Sequence, residues 1–286
     1  MKSLLLFVLA LTTVASAQIS NVRQKVEDGH VIITYDLSGE PERTYNIFAT
    51  ATSAAGDTIT PHALAGDIHE VSSGKNLSIR WEPQVEGGSL TGLKISLSAK
   101  AEIGIDWVFV QSGPTGDFRI SKAEITFAQF DEFCSATGYA KPDDNAWGRG
   151  NRPVINVNVV DAKAFCQWLS KETGKSIRLP EESEWEFAAK GGKKSNGYIF
   201  SGSNNLDTVG WYSGNSDFKT HEVSTKKPNE LGICDMSGNV WEWCGNSGAI
   251  RGGCWHDNDK YCRISGRFDN NLDVRSPYIG FRVLQK

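Results

Sequence analysis

A carboxylate and an amide lie close together in the segment Gly238–Trp243, which reads Gly-Asn-Val-Trp-Glu-Trp. A Gly-Asn pair indicates a tight turn, and Trp241 and Trp243 alternate as they would in a half-buried strand. This alternation does not explain Glu242 between them, nor Asn239 in the turn. Carboxylate, amide and turn carbonyl oxygens are ligands that calcium prefers. The segment therefore fits either a calcium site on Asn239 and Glu242 or a buried turn with a solvated glutamate.

Sulfur chemistry is a second possibility, and it depends on six cysteines: Cys134, Cys166, Cys234, Cys244, Cys254 and Cys262. No two of them are spaced as Cys-x-x-Cys, so a structural zinc site is not predicted. Export would permit disulfides, but the sequence does not choose a pairing. Buried thiols together with some disulfides are the expected arrangement.

Other catalytic patterns are weak or missing. The sequence has no Gly-x-Ser-x-Gly elbow and no His-Glu-x-x-His helix. The adjacent pairs His221-Glu222 and His256-Asp257 would point to opposite faces of an extended chain, so neither predicts a dyad. Four glutamates between residues 181 and 186 begin a predicted helix, where negative charge is favourable. These glutamates are expected to be structural.

Several motifs follow one another from residue 124 to the C-terminus: Glu124-Ile-Thr, Pro153-Val-Ile-Asn-Val, Asp161-Ala-Lys-Ala-Phe-Cys-Gln-Trp168, Arg178-Leu-Pro-Glu-Glu-Ser-Glu-Trp-Glu-Phe187, Asp235-Met-Ser-Gly-Asn-Val-Trp-Glu-Trp243, Arg251-Gly-Gly-Cys-Trp255 and Gly280-Phe-Arg-Val283. Together they resemble the sulfatase-modifying factor family, which includes the formylglycine-generating enzymes. The resemblance covers roughly residues 105–286. It implies a loop-rich fold related to C-type lectins, and it implies fold more firmly than reaction.

The resemblance also implies a possible copper chemistry. Members of the family use copper held by two cysteine thiolates to oxidise a sulfatase cysteine to formylglycine, and soft thiolates suit copper(I). Aligned on Gly252-Gly253, Cys262 falls on the second active-site cysteine, Asp257 on the first and Cys254 on the active-site serine. A carboxylate is a poor copper(I) ligand. Cys262 is then structural, or Cys254 and Cys262 form a displaced copper pair or a disulfide.

The family resemblance strengthens the calcium prediction for one turn and weakens it for another. Asn239 and Glu242 match the family's calcium-binding turn. The second family site corresponds to the region of Val209–Tyr212 and Asp217, where the expected asparagine is missing. Calcium is therefore predicted only at the first turn.

The N-terminus predicts export. Lys2, an apolar run from Leu4 to Val14 and the sequence Ala15-Ser-Ala17 have the organisation of a secretory signal peptide over residues 1–17. The apolar run is too short to cross a bilayer as a helix, and no membrane span is predicted elsewhere. The mature protein is expected to begin at Gln18 and to be periplasmic, surface-bound or secreted.

Two domains are predicted after the signal peptide, and together they make an α+β chain. The second domain carries the candidate site residues and must position them. Residues 18–104 contain alternating segments such as Val31–Leu37 and Tyr45–Ala51, broken by Gly, Pro and Asp, which predicts an all-β, immunoglobulin-like sandwich. In residues 105–286 the apolar periodicity predicts helices over 126–137, 161–173 and 181–189. Loops dominate the remainder.

The charge of the chain excludes one class of partner. The formal net charge is −4, and the Lys and Arg residues are scattered, which does not produce the basic surface that nucleic acids require.

The leading hypothesis is an exported, non-catalytic or altered family member that binds a protein, peptide or glycan. The alternative is a copper-dependent oxidase that converts a protein cysteine to formylglycine or oxidises another thiol. The carboxylate of Asp257, at the position where a copper-binding cysteine is expected, favours the binding hypothesis over the oxidase.

Overall fold

The computed structural model describes residues 17–40, 43–83, 92–101, 103–245 and 247–286. The predicted signal peptide lies outside the described residues, apart from Ala17. The chain divides into two compact units, Met1–Gly104 and Ile105–Lys286, and each is described by itself. Within the described part, every helix falls short of the length and apolar content that a bilayer span requires.

The first unit is built from β1 (Gln18–Glu27), β2 (His30–Ser38), β3 (Thr44–Thr52), β4 (Thr58–Ile59), β5 (Leu64–Gly66), β6 (Val71–Ser72), β7 (Gly74–Trp81) and β8 (Lys94–Ala101). One sheet has the order β1-β2-β7-β5, and in the other β3 pairs with β4, β6 and β8. Alternate residues of β2 and β3 are buried, so both sheets contribute to one core around Ile33, Tyr35 and Ile47. The immunoglobulin-like sandwich stays a prediction for this unit.

The second unit contains more loop than regular structure. Its helices are α1 (Phe127–Thr137), α2 (Val159–Thr173), α3 (Glu182–Ala189) and α4 (Leu206–Val209). Its strands are β9 (Trp107–Gly113), β10 (Gly116–Ser121), β11 (Ile177–Arg178), β12 (Trp241–Cys244), β13 (Ala249–Arg251), β14 (Arg267–Asp269), β15 (Ile279–Gly280) and β16 (Leu284–Gln285). They form two sheets of order β11-β16-β10-β9 and β14-β13-β12-β15.

The three predicted helices are confirmed, with changes at their first residues, and α1 and α3 each begin one residue after the predicted start. Thr126 caps α1 by accepting from the backbone N–H of Gln129, and the chain leaves the helix at Gly138 with φ of 75°. Helix α2 begins at Val159, two residues before the predicted start, because Asn158 caps it in a reciprocal pair with Asp161. Both helices bury their aromatic face.

Strand β12 carries Trp241, Glu242 and Trp243 of the segment Gly238–Trp243. It runs antiparallel to β13 and parallel to β15, so Glu242 lies beside Arg251 on one side and Gly280 on the other. Arg282 follows Gly280 by two residues, after Phe281. The central sheet therefore brings a buried arginine to a buried glutamate that lies 40 residues earlier.

Candidate functional site

The turn before β12 is shaped by glycine and packed against a neighbouring loop. Gly238 has φ of 89°, and a Cβ added to it would lie 2.3 Å from the backbone oxygen of Trp211, so only glycine fits. Asn239 follows with φ of 61° and donates its backbone N–H to the same oxygen at 2.7 Å. The tight turn predicted from the Gly-Asn pair is therefore confirmed.

Glu242 is fully buried and is held by an arginine. Its Oε1 accepts from Nη2 of Arg282 at 2.7 Å, and its Oε2 accepts from Nε of Arg282 at 2.5 Å. Trp185 also donates from Nε1 to Oε2 at 2.6 Å. Arg282 is itself fully buried and donates to the backbone oxygens of Ser121 and Cys234 at 3.0 Å each. The alternative of a solvated glutamate is wrong, because the ion pair replaces water.

Asn239 is also occupied by protein partners. Its Oδ1 accepts from the backbone N–H of His221 at 2.9 Å, and its Nδ2 donates to Oε2 of Glu124 at 3.2 Å. Calcium needs free oxygen donors. Since Glu242 is committed to Arg282, the side chains of Asn239 and Glu242 do not fit the calcium site that the sequence predicted on them.

Two other oxygens in this buried cluster do lack a partner. Oε1 of Glu124 and Oδ1 of Asp235 are buried and accept no hydrogen bond from any described residue. Burial raises the pKa of Glu124 well above its ordinary value and raises that of Asp235 to about 6. No three His, Cys, Asp or Glu side chains in the described residues form a metal site alone. A calcium ion in this cluster would use the free carboxylate oxygens of Asp235 and Glu124.

Asp257 collects hydrogen bonds from its surroundings. Its Oδ2 accepts from the thiol of Cys254 at 3.1 Å and from the backbone N–H of Cys254 at 3.0 Å. It also accepts from Nε1 of Trp241 at 2.8 Å. Burial raises the pKa of the Cys254 thiol, and the carboxylate of Asp257 raises it further. Cys254 is therefore held as a neutral thiol that donates to the residue replacing the expected copper ligand.

Cys262 lies in a different environment. It is fully buried in an apolar cluster with Phe200, Leu206 and Val209. Burial raises the pKa of its thiol, and Asp257 adds to the effect. Gly253 passes so close that an added Cβ would lie 2.8 Å from Sγ of Cys262. These features fit a structural cysteine.

The structure pairs none of the cysteines. All six lie in the described residues, and each is a buried free thiol. The disulfides expected from export are therefore not seen, nor is a bond between Cys254 and Cys262. The arrangement does not fit the family's two-thiolate copper site, because Asp257, a hard carboxylate, stands at one of the two ligand positions.

Aromatic side chains near Asp257 form a surface feature that the sequence did not predict. We call it the aromatic ledge, and it consists of Trp147, Phe218, Trp255, His256 and Tyr278. The Trp255 ring lies 5.1 Å from Trp147 and 5.0 Å from Tyr278, and His256 lies 5.5 Å from Tyr278. Phe218 is 67% exposed and Tyr278 is 38% exposed. Because these residues come from separate loops, no sequence period could reveal them.

The ledge rests on a rigid base. Trp255 is buried, donates from Nε1 to the backbone oxygen of Pro277 at 3.0 Å, and accepts at its own backbone oxygen from the hydroxyl of Ser216 at 2.7 Å. These bonds connect the loop that carries Phe218 with the loop that carries Tyr278. The exposed rings are therefore presented by fixed backbone.

The glutamates of α3 are structural, as predicted. Glu184 binds Arg178, while Glu186 and Glu182 bind Arg251. Each of these three carboxylates therefore ties the helix to a neighbouring strand. Glu181 is the N-cap residue that precedes the helix.

Residues 99–286 match the family model of the sulfatase-modifying factor enzyme 1-like domain. The chain belongs to this family. It is 32% identical over 266 residues to a Paenibacillus barcinonensis protein called Chaperone protein LppX, covering 70% of this chain and 88% of that protein. It is 30% identical to a formylglycine-generating enzyme of Streptomyces coelicolor and 31% identical to the inactive Cα-formylglycine-generating enzyme 2 of Bos taurus. The chain spans about half of these two relatives, 53% and 49% respectively.

Two solved structures share the family's fold with this chain. The Treponema denticola variable protein 1 is 28% identical with a TM-score of 0.52, and the match covers 66% of this chain and 95% of that protein. PvdO from Pseudomonas aeruginosa is 25% identical with a TM-score of 0.52, and the match covers 64% and 91% respectively. The family thus includes proteins called enzymes, proteins called inactive and a protein called a chaperone.

Proposed function

We propose that this protein is an exported, non-catalytic member of the family that binds an extended polypeptide on the aromatic ledge. The observation that carries the proposal is the hydrogen bond from the Cys254 thiol to Asp257, in the loop that also carries Trp255 and His256 of the aromatic ledge. The thiol that copper chemistry would need is bound to a carboxylate, while Phe218, His256 and Tyr278 of the ledge are exposed. The sequence hypothesis of a protein, peptide or glycan ligand is narrowed here to polypeptide.

Aromatic rings suit a polypeptide ligand. They contribute large apolar contact areas and supply much of the energy of protein interfaces. Phe218 and Tyr278 are each more than a third exposed, and their loops are fixed by Trp255. A rigid ledge loses little conformational entropy on binding.

The names of two relatives support this choice. One relative that this chain covers over 88% of its length is called a chaperone, a class of protein that binds polypeptides. Another is called an inactive formylglycine-generating enzyme, so loss of activity has precedent within the family. Both agree with binding in place of oxidation.

The proposal can be tested with an unfolded polypeptide as the probe. Fluorescently labelled, reduced and carboxymethylated α-lactalbumin is titrated with the mature protein, and anisotropy gives the Kd. Phe218→Ala and Tyr278→Ala should each weaken binding by about 10-fold, the loss typical of an interface aromatic. Phe109→Ala is the matched control, because Phe109 is 55% exposed on β9, outside the ledge, and should leave the Kd unchanged.

A glycan array provides the opposing outcome. That outcome is a wild type that binds a glycan and no polypeptide. If that glycan binding is lost in Phe218→Ala and Tyr278→Ala, the ligand of the ledge is a glycan and the polypeptide proposal is wrong. Equal loss of binding in Phe109→Ala would show that the ledge is not the site.

The second candidate function is the copper-dependent oxidation of a protein cysteine or another thiol. The observation in its favour is that Cys254 and Cys262 are both free thiols, as copper binding requires. Their raised pKa values oppose it.

A further inference from the structure

A cavity of about 290 Å³ opens beside the loop that follows α1. Its apolar walls are formed by Phe130, Pro142 and Val157. This volume is at the lower end of the range of ligand pockets. It is large enough for one bulky side chain and too small for a folded segment.

The charges around this cavity balance. Its lining contains two cations, Lys141 and Arg275, and two carboxylates, Asp143 and Asp161. Arg275 binds the buried Asp161 through two hydrogen bonds of 2.9 and 2.7 Å, and the Tyr139 hydroxyl donates to the same carboxylate at 2.8 Å. Lys141 pairs with Asp131 outside the cavity and Asp143 is exposed to solvent, so a charged guest would lose hydration and meet a lining whose formal charges sum to zero. The lining therefore favours an uncharged guest.

The cavity and the aromatic ledge are built from the same two loops. One loop contributes Pro142 to the cavity and Trp147 to the ledge, and the other contributes Arg275 and Tyr278. Asn156 lies on the cavity wall and joins the two loops.

The contacts of Asn156 show how this junction is made. Its side-chain amide donates to the backbone oxygen of Asp143 at 2.8 Å and to Oδ1 of Asn145 at 2.9 Å, both on the first loop. Its backbone N–H donates to the oxygen of Ser276 on the second loop at 3.0 Å. A chain lying along the ledge would thus pass loops that also enclose the cavity.

We propose that the cavity is an anchor pocket for an uncharged aromatic side chain of the polypeptide that binds the ledge. The inference rests on the proposed function and adds a specificity to it. The apolar walls would contact the ring, and the balanced charges at the rim would reject acidic and basic side chains.

Small probes test the pocket independently of any polypeptide. N-acetyl-tryptophanamide is neutral, N-acetyl-tryptophan is an anion and tryptophanamide is a cation, while all three carry the same ring. Binding is followed by ligand-observed NMR. The neutral probe should bind most tightly. Tighter binding of either charged probe would overturn the inference.

Blocking variants locate the binding of the neutral probe. Ala140 lines the cavity and is exposed, so Ala140→Trp should fill the mouth of the cavity. We expect the affinity for the neutral probe to fall by at least about 10-fold, which corresponds to one good contact. Ala136→Trp is the control, because Ala136 is exposed on α1 and does not line the cavity. Melting temperatures report whether both variants fold. An equal effect of the two would overturn the inference.

The carboxymethylated polypeptide separates this inference from the proposed function. Ala140→Trp should weaken polypeptide binding in the way that Phe218→Ala does. Loss of binding in Phe218→Ala with full binding in Ala140→Trp would leave the proposed function standing and remove the anchor pocket. Binding of the neutral probe without any polypeptide binding would refute the proposed function and the anchoring role together.

Discussion

Sγ of Cys254 donates a hydrogen bond to Oδ2 of Asp257 at 3.1 Å. The family resemblance places a copper-binding cysteine where Asp257 stands, so the substitution introduces a charge that a neighbouring thiol then helps to satisfy. The bond stabilises the protonated form of Cys254. The same oxygen also accepts from Nε1 of Trp241 and from the backbone N–H of Cys254, so the carboxylate fixes its loop against β12.

Removing one partner of the buried ion pair between Glu242 and Arg282 should strongly destabilise the folded protein. Glu242→Ala leaves a fully buried arginine without the carboxylate that binds its Nε and Nη2, which typically costs about 3–5 kcal/mol. Urea unfolding of the mature protein gives the change in free energy. Asp106→Ala removes an exposed partner of Lys122 and should cost less than about 1 kcal/mol. Similar losses in both variants would contradict the assigned role.

Calcium should stabilise the fold if the free oxygens of Asp235 and Glu124 bind it. Binding to the folded state alone adds about 2.7 kcal/mol when the ion is at 100 times its Kd. A chelator should therefore lower the melting temperature of the wild type and have little effect on Asp235→Ala. Metal analysis should find bound calcium in the wild type only. Identical melting of the wild type with and without chelator, after metal-free handling, would argue for a protonated cluster instead.

The lowered pKa of Glu184 predicts that the folded protein loses stability in acid. Burial opposes its ionisation, but hydrogen bonds from Arg178 and Thr115 outweigh this and lower the pKa from 4.5 to about 2. The folded state therefore binds the proton more weakly than the unfolded state, so the contribution is complete above pH 4.5 and is lost as the pH falls towards 2. Glu184→Gln should flatten the stability profile in that window. Glu222→Gln, at an exposed carboxylate, controls for the loss of one charge.

The helices and the turn could be predicted because their causes are local. Thr126 caps α1 and Gly138 ends it within a dozen residues of sequence. Likewise, Gly238 and Asn239 specify a turn by their own conformational preferences. The predicted start of α2 is two residues late because the N-cap is Asn158, which forms a reciprocal capping pair with Asp161.

The site could not be predicted to the same degree because its contacts span long distances in the chain. Glu242 resembled a metal ligand in the sequence, and nothing in its neighbourhood indicated that Arg282 would pair with it. Trp147 and Tyr278 are brought to Trp255 by separate loops. The family resemblance supplied the fold, but it did not supply these side-chain partners.

Export remains a prediction of the first 17 residues alone. Expression with the native N-terminus in a bacterial host should yield a mature protein that begins at Gln18, because the Ala15-Ser-Ala17 sequence fits signal-peptide cleavage. N-terminal sequencing of the exported fraction measures this directly. A replacement of Ala17 by a bulky residue, Ala17→Trp, should block processing. An exported protein that still begins with Met1 would contradict the prediction.

The decisive prediction concerns copper. Only Cys262 occupies its expected place, and Asp257 does not supply the soft ligand that copper(I) needs. The wild type should therefore compete poorly with a chromogenic chelator for copper(I). Asp257→Cys restores a thiol at the aligned position and should raise copper(I) affinity, and Cys262→Ser added to it should remove the gain. Asp257→Ser controls for loss of the carboxylate without a new thiol.

Turnover completes the test of copper chemistry. With copper, reductant, oxygen and a cysteine-containing sulfatase peptide, mass spectrometry should detect no aldehyde from the wild type, because the Cys254 thiol stays protonated against Asp257. Turnover that disappears in Cys262→Ser would overturn the non-catalytic proposal and establish the oxidase. Turnover that also disappears in Cys254→Ser but survives in Asp257→Ala would show that Cys254 and Cys262 form the displaced pair. In that case the carboxylate restrains a thiol that the metal could otherwise deprotonate.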